Sequence, residues 1–175
     1  MLTHSRSLFT ILLLTTTFVA VPLASVSLAA PVQPPPKEMS MARMGLAGIK
    51  LGMKAFQVER KLGKPPQMAS QASTCCGTLL YWKYPELEVH FEVPMGVRQE
   101  PNATVYSITT RSSKFATLEG VRVGDRRNKV LRIYGTPSAD EDNAVFYAND
   151  QYASSLVFRF ENDRVVEISA ASQLN

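Results

Sequence analysis

The chain has 175 residues and a formal net charge of +4, with 45% hydrophobic, 19% charged and 9% aromatic residues. That length and composition suit one folded domain or two small ones, and they exclude a disordered tail, a long coiled coil, a collagen-like chain and a disulfide-dense miniprotein. The 19 Lys and Arg against 15 Asp and Glu form no basic run that would follow a phosphate backbone, so no nucleic acid is expected as a partner.

The chain opens with a cationic stretch ending at Arg6, runs apolar from Leu8 to Leu23, and reaches the small residues Ser27, Ala29 and Ala30 before Pro31. This is the form of a secretory signal peptide, residues 1–30. The apolar run is short for a spanning helix, which argues against an uncleaved anchor. No cysteine follows for lipidation, and no later run approaches a spanning length, so no stable membrane insertion is expected after cleavage. The expected location is outside the cytoplasm, periplasmic or extracellular. Residues 31–46, with Pro31, Pro34, Pro35, Pro36, Met39, Met41 and Met44, read as a Pro/Met-rich spacer.

A repeat follows. Gly48-Ile-Lys-Leu-Gly52, Val58, Arg60, Gly63 and Pro65 recur as Gly120-Val-Arg-Val-Gly124, Val130, Arg132, Gly135 and Pro137 at a constant offset of 72 residues. Matched glycines and prolines at a fixed period mark a duplicated supersecondary unit. In each copy an apolar stretch turns at a glycine, and Asp125 is placed to cap the second helix. Val58 with Leu62, and Val130 with Ile133 and Tyr134, supply an apolar helical stripe. Gly63 and Gly135 close the helices, and Pro65 and Pro137 prevent their continuation.

Three apolar-alternating segments follow each helix. Leu79–Tyr84, Leu87–Val93 and Thr104–Thr110 belong to the first copy; Ala144–Tyr147, Leu156–Glu161 and Arg164–Ile168 belong to the second. Leu87, Val89, Phe91 and Val93 alternate with Glu88, His90 and Glu92, as in a strand with one wet face. The expected fold is therefore α+β: two tandem repeats, residues 47–112 and 113–175, each a short helix followed by about three antiparallel strands. The helices are expected on one face of joined or abutting sheets, with the other face open.

The G-x-x-x-G-x-x-x-x-x-V-x-x-x-x-G-x-P string, with Trp82-Lys-Tyr84 and the closing Phe158-Arg-Phe160 and Val165-Val-Glu-Ile168, resembles the SmpA/OmlA (BamE-like) domain. It also resembles the tandem-repeat β-lactamase inhibitor proteins, here called BLIP-like. The resemblance spans most of residues 47–170 and implies BLIP-like repeats and a non-enzymatic, protein-binding role. The assembly-factor lipoproteins carry one domain and a lipidated cysteine, and the inhibitors a disulfide in each domain; this chain departs from both patterns.

The candidate site residues divide between two readings. On the first, Tyr81, Lys83, His90 and Arg159 on the open sheet face bind another envelope or secreted protein, and no cofactor is required. Alternation places Trp82 and Tyr84 in the core, opposite Tyr81. On the second, Met39, Met41, Met44, Cys75 and Cys76 hold Cu(I), a soft ion suited to thioether and thiolate. Cys75 and Cys76 are open to other roles: a strained vicinal disulfide, an intermolecular bridge, or none. Glu88, His90 and Glu92 share a strand face, which a solvated surface explains without a metal. His90 is the one histidine beyond the signal segment, and G-x-S-x-G, phosphate-loop and dinucleotide fingerprints are absent, so the chain is not read as an enzyme.

Overall fold

The segments that alternate large apolar and polar side chains form one antiparallel sheet. A computed structural model describes residues 38–73, 77–93 and 100–173, and these make a single compact unit. A two-stranded hairpin, β1 (Gly45–Leu46) and β2 (Ile49–Lys50), precedes helix α1 (Ala55–Leu62). Strands β3 (Gln67–Ser73), β4 (Gly77–Tyr84), β5 (Leu87–Val93) and β6 (Thr104–Thr110) follow. Helix α2 (Arg127–Tyr134) leads to β7 (Ala139–Glu141), β8 (Ala144–Asn149), β9 (Ser154–Glu161) and β10 (Arg164–Ser172). The order across the sheet is β3-β4-β5-β6-β10-β9-β8-β7.

This corrects the expected class. The molecule is mostly antiparallel β, an eight-stranded sheet with two eight-residue helices, and not a tandem of two α+β repeats with helices on one face. Two features account for the difference. Polar segments that lack strand alternation, Gln67–Ser73 and Ala139–Glu141, pair with β4 and β7's neighbour β8 through backbone bonds and widen the sheet at both ends. The last strands of the two halves also pair directly, with Ile168 opposite Thr110 and Ala170 opposite Ile108. Main-chain bonds thus run across the expected unit boundary without interruption.

One sheet face is the core. Leu80, Trp82, Leu87, Val89, Phe91, Ile108, Leu156, Phe158 and Ile168 are buried there in one cluster with Val58 of α1 and Val130 of α2. At about 25 cal/mol per Å² of apolar surface, such burial dominates the stabilisation. Glycine turns set the helices against the strands. Gly52 and Gly124 have φ of +77° and +93°, where a Cβ would be strained. Their amides donate to the Val105 and Val165 carbonyls at 2.8 and 2.7 Å. Asp125 does not cap α2, whose N-terminal flanking residue is Arg126 without a side-chain bond. Its carboxylate closes the turn instead, accepting from the Arg122 amide at 2.8 Å and from Lys129 Nζ at 2.7 Å.

Residues 38–46, the C-terminal part of the expected spacer, belong to the folded unit. Met39 and Met44 are buried, and the Met39 amide donates to the Ala148 carbonyl at 3.0 Å. Asn149 Nδ2 donates to the Met39 carbonyl at 2.7 Å. The signal segment, residues 1–30, lies outside the described residues.

Candidate binding face

The face opposite the core is set by register. Tyr81 pairs with His90, and Lys83 with Glu88, across β4 and β5. The Tyr81 and His90 rings meet edge to face at a centroid separation of 4.9 Å, an attractive arrangement for aromatic rings. Tyr106 adds a third ring, 6.0 Å from His90.

A β-bulge places Tyr106 there. His90 opposes Ser107 and Phe91 opposes Val105, leaving Tyr106 as the extra residue. Val105 and Ile108 are both buried although three positions apart, and a regular strand cannot turn both inward. The bulge resolves this by turning Tyr106 and Ser107 outward together. A second register shift between Val165 and Glu167 lets Val165 and Ile168 both point inward, again three apart.

Burial shifts two groups of the aromatic cluster, His90 and Tyr106, toward their neutral forms. Burial pushes the His90 imidazole below its ordinary value, against the opposing pull of Glu88. Burial likewise raises the Tyr106 hydroxyl to about 12, with further contributions from Tyr81, through charge and a hydrogen bond, and from Glu92. One ion pair lies beside the cluster and another farther across the sheet. Lys83 Nζ lies 3.4 Å from Glu88, while Arg159 Nε lies 3.3 Å from Glu167, which Arg111 also contacts.

Glu92 shares the outward side of β5 with His90 yet is only 2% exposed. It lines a cleft of about 420 Å³ with Thr104, Tyr106, Gln151 and Gln173. The cleft opens where β6 and β10 cease to pair, beyond Ser107 and Ala171.

Of the four face residues named from sequence, Tyr81, Lys83 and His90 are neighbours, and Arg159 lies across the sheet with Glu167. Tyr106 was missed, although the three-residue spacing of Val105 and Ile108 signals a bulge. The copper set is not assembled among the described residues. Met39 and Met44 pack in the core and Met41 lies against it, while Cys75 and Cys76 lie outside the described residues. Glu88 and His90 approach only to 3.9 Å, and no group of three His, Cys, Asp or Glu side chains among the described residues is arranged to hold a metal. No described helix is long and apolar enough to cross a membrane.

No protein-family model matches the chain, and no curated protein matches it. Among solved structures it is similar to an extracellular protein containing an SCP domain from Bacillus anthracis str. Ames, at 12% identity and a TM-score of 0.43. That match covers 69% of this chain and 43% of the other. The chain therefore spans less than half of that structure, and so distant a likeness carries no functional argument.

Proposed function

We propose that this is an exported, non-enzymatic module that binds another envelope or secreted protein through the sheet face bearing Tyr81, His90 and Tyr106. The carrying observation is the bulge that turns Tyr106 outward beside His90. Three neighbouring rings with the Lys83–Glu88 ion pair beside them have the anatomy of a binding patch, with aromatic anchors at the centre and charge at the rim. The resemblance of the glycine–proline string to SmpA/OmlA domains points to the same class of role. The copper reading has less support, because Met39 and Met44 spend their thioethers on core packing.

The test compares the wild-type protein with a Tyr81→Ala/Tyr106→Ala double variant, each recovered with its bound proteins from the host's exported fraction. A partner held stoichiometrically by the wild type and lost from the variant supports the reading. A partner retained by the variant assigns binding to another surface.

A further inference from the structure

The cleft beside the aromatic face has a lining unlike that of the face itself. Its volume of about 420 Å³ lies in the range of small-molecule sites, roughly 300–1,000 Å³. It sits where β6 and β10 part, beyond Ser107 and Ala171. The backbone of its β6 wall is already paired. The Val105 amide donates to the Met53 carbonyl at 2.9 Å, and the Gly52 amide donates to the Val105 carbonyl at 2.8 Å. A peptide strand entering there would find no main-chain partner at Val105, so recognition falls to side chains. On the other wall the Gln173 amide donates to the Ala153 carbonyl at 2.9 Å, which fixes the chain just past β10.

We propose that this cleft binds a mono- or disaccharide, held by hydroxyl, carboxamide and carboxylate side chains. The lining is mixed in hydrogen-bonding sense. Thr104 and Ser172 bring hydroxyls, which donate and accept, and Gln151 and Gln173 bring carboxamides, which do both through separate atoms. Glu92 brings acceptors, and a carboxylate has about four acceptor sites, so it can keep a partner within the protein and still receive ligand hydroxyls. No Lys, Arg or His among the described residues lines the cleft. An anion would therefore meet no cation from these walls. A simple cation would leave the carboxamide donors unmatched, and an apolar ligand would strand every polar group. Sugar hydroxyls donate and accept alike, which answers a mixed lining, and the C–H faces of the ring can rest on Tyr106, Met41 and Val105. The cleft shares Tyr106 with the partner-binding face, but neither reading depends on the other.

The test is titration of the full-length gene product, purified as the cell processes it, with glucose, N-acetylglucosamine, cellobiose and chitobiose, followed by amide NMR shifts. At least one of these sugars is expected to bind saturably, with the largest shifts on the amides of Thr104, Tyr106, Ser172 and Gln173. Gln151 and Gln173 are exposed, so the Gln151→Ala/Gln173→Ala double variant should keep the wild-type melting temperature. It should bind that sugar about fivefold more weakly or worse, as expected for the loss of two ligand hydrogen bonds. No saturable binding of any of these sugars, shifts centred away from the cleft, or a double variant that binds as well as the wild type would each overturn the proposal. Adenosine or spermidine moving the same amides with higher affinity than every sugar would assign the cleft to another ligand class and overturn it too.

Discussion

The Tyr84 hydroxyl, at the end of β4, donates to the Gly63 carbonyl at 3.0 Å, where α1 terminates. Tyr147 of β8 makes the corresponding bond to the Gly135 carbonyl after α2, at 3.1 Å. Each tyrosine satisfies a carbonyl just past a helix end, where regular intrahelical bonding fails. Both hydroxyls have values raised to about 12, mainly by burial and further by Glu59 beside Tyr84 and Asp140 beside Tyr147, so they remain donors at physiological pH. Tyr84→Phe and Tyr147→Phe should each cost about 0.5–1.5 kcal/mol. Urea unfolding followed by the fluorescence of Trp82, the single tryptophan, would measure the loss.

Asn149 ties the segment at Met39 to β8. Asn149→Ala removes the donor and leaves a buried carbonyl without it, at an expected cost of about 1–3 kcal/mol. Limited proteolysis should then cut faster within residues 38–44 than in the wild type. Unchanged cutting would mean that this segment does not depend on the Asn149 bond.

Gly45 faces a close approach of the chain. A Cβ there would lie 2.2 Å from the Ile49 carbonyl oxygen, which is backbone and cannot swing aside. Gly45→Ala should destabilise the protein by about 1–3 kcal/mol through overpacking of the β1–β2 hairpin. At Gly124 nothing beyond its immediate chain neighbours lies within 4 Å of the added Cβ, so Gly124→Ala carries only the left-handed backbone penalty, about 1–2 kcal/mol. Gly124→Asn should recover part of that penalty, whereas Gly45→Asn should not. Paired thermal melts of the four variants would separate a steric cause from a conformational one.

His90 makes stability depend on pH in a defined direction. Its folded-state value is lowered, chiefly by burial, so below the ordinary value of 6.5 the unfolded chain takes up a proton before the folded chain does. Stability from this group is full above that value and falls as the pH is lowered toward the folded-state value. His90→Gln should flatten the stability profile just below 6.5, before carboxylates titrate. A profile equally steep in the variant would move the effect to another group. Only below the folded-state value does an imidazolium stand between the two tyrosines, and there a partner that buries the face further should bind more weakly.

Much of the candidate face was legible in the sequence, because alternation in Leu79–Tyr84 and Leu87–Val93 separates Tyr81 and His90 from Trp82 and Phe91. The architecture was less so. Gln67–Ser73 carries no apolar periodicity and exposes nearly every side chain, so only its backbone pairing identifies it as a strand. The pairing of β6 with β10 depends on long-range geometry that local pattern does not encode. Met39 and Met44 were read as part of a spacer because the neighbouring prolines dominate the composition, yet their thioethers fill the core.

The strand order also sets a timetable. β6 and β10, each the last strand of its half, meet in the middle of the sheet. When the chain is delivered N-terminus first, Thr104–Thr110 must wait with one edge unsatisfied until Arg164–Ser172 arrives. At roughly 5–20 residues per second that wait lasts seconds, long compared with the microseconds in which a hairpin forms. For that time the half-built sheet exposes the open edge of β6, and the last strand of this sheet to emerge, β10, closes the gap at its centre.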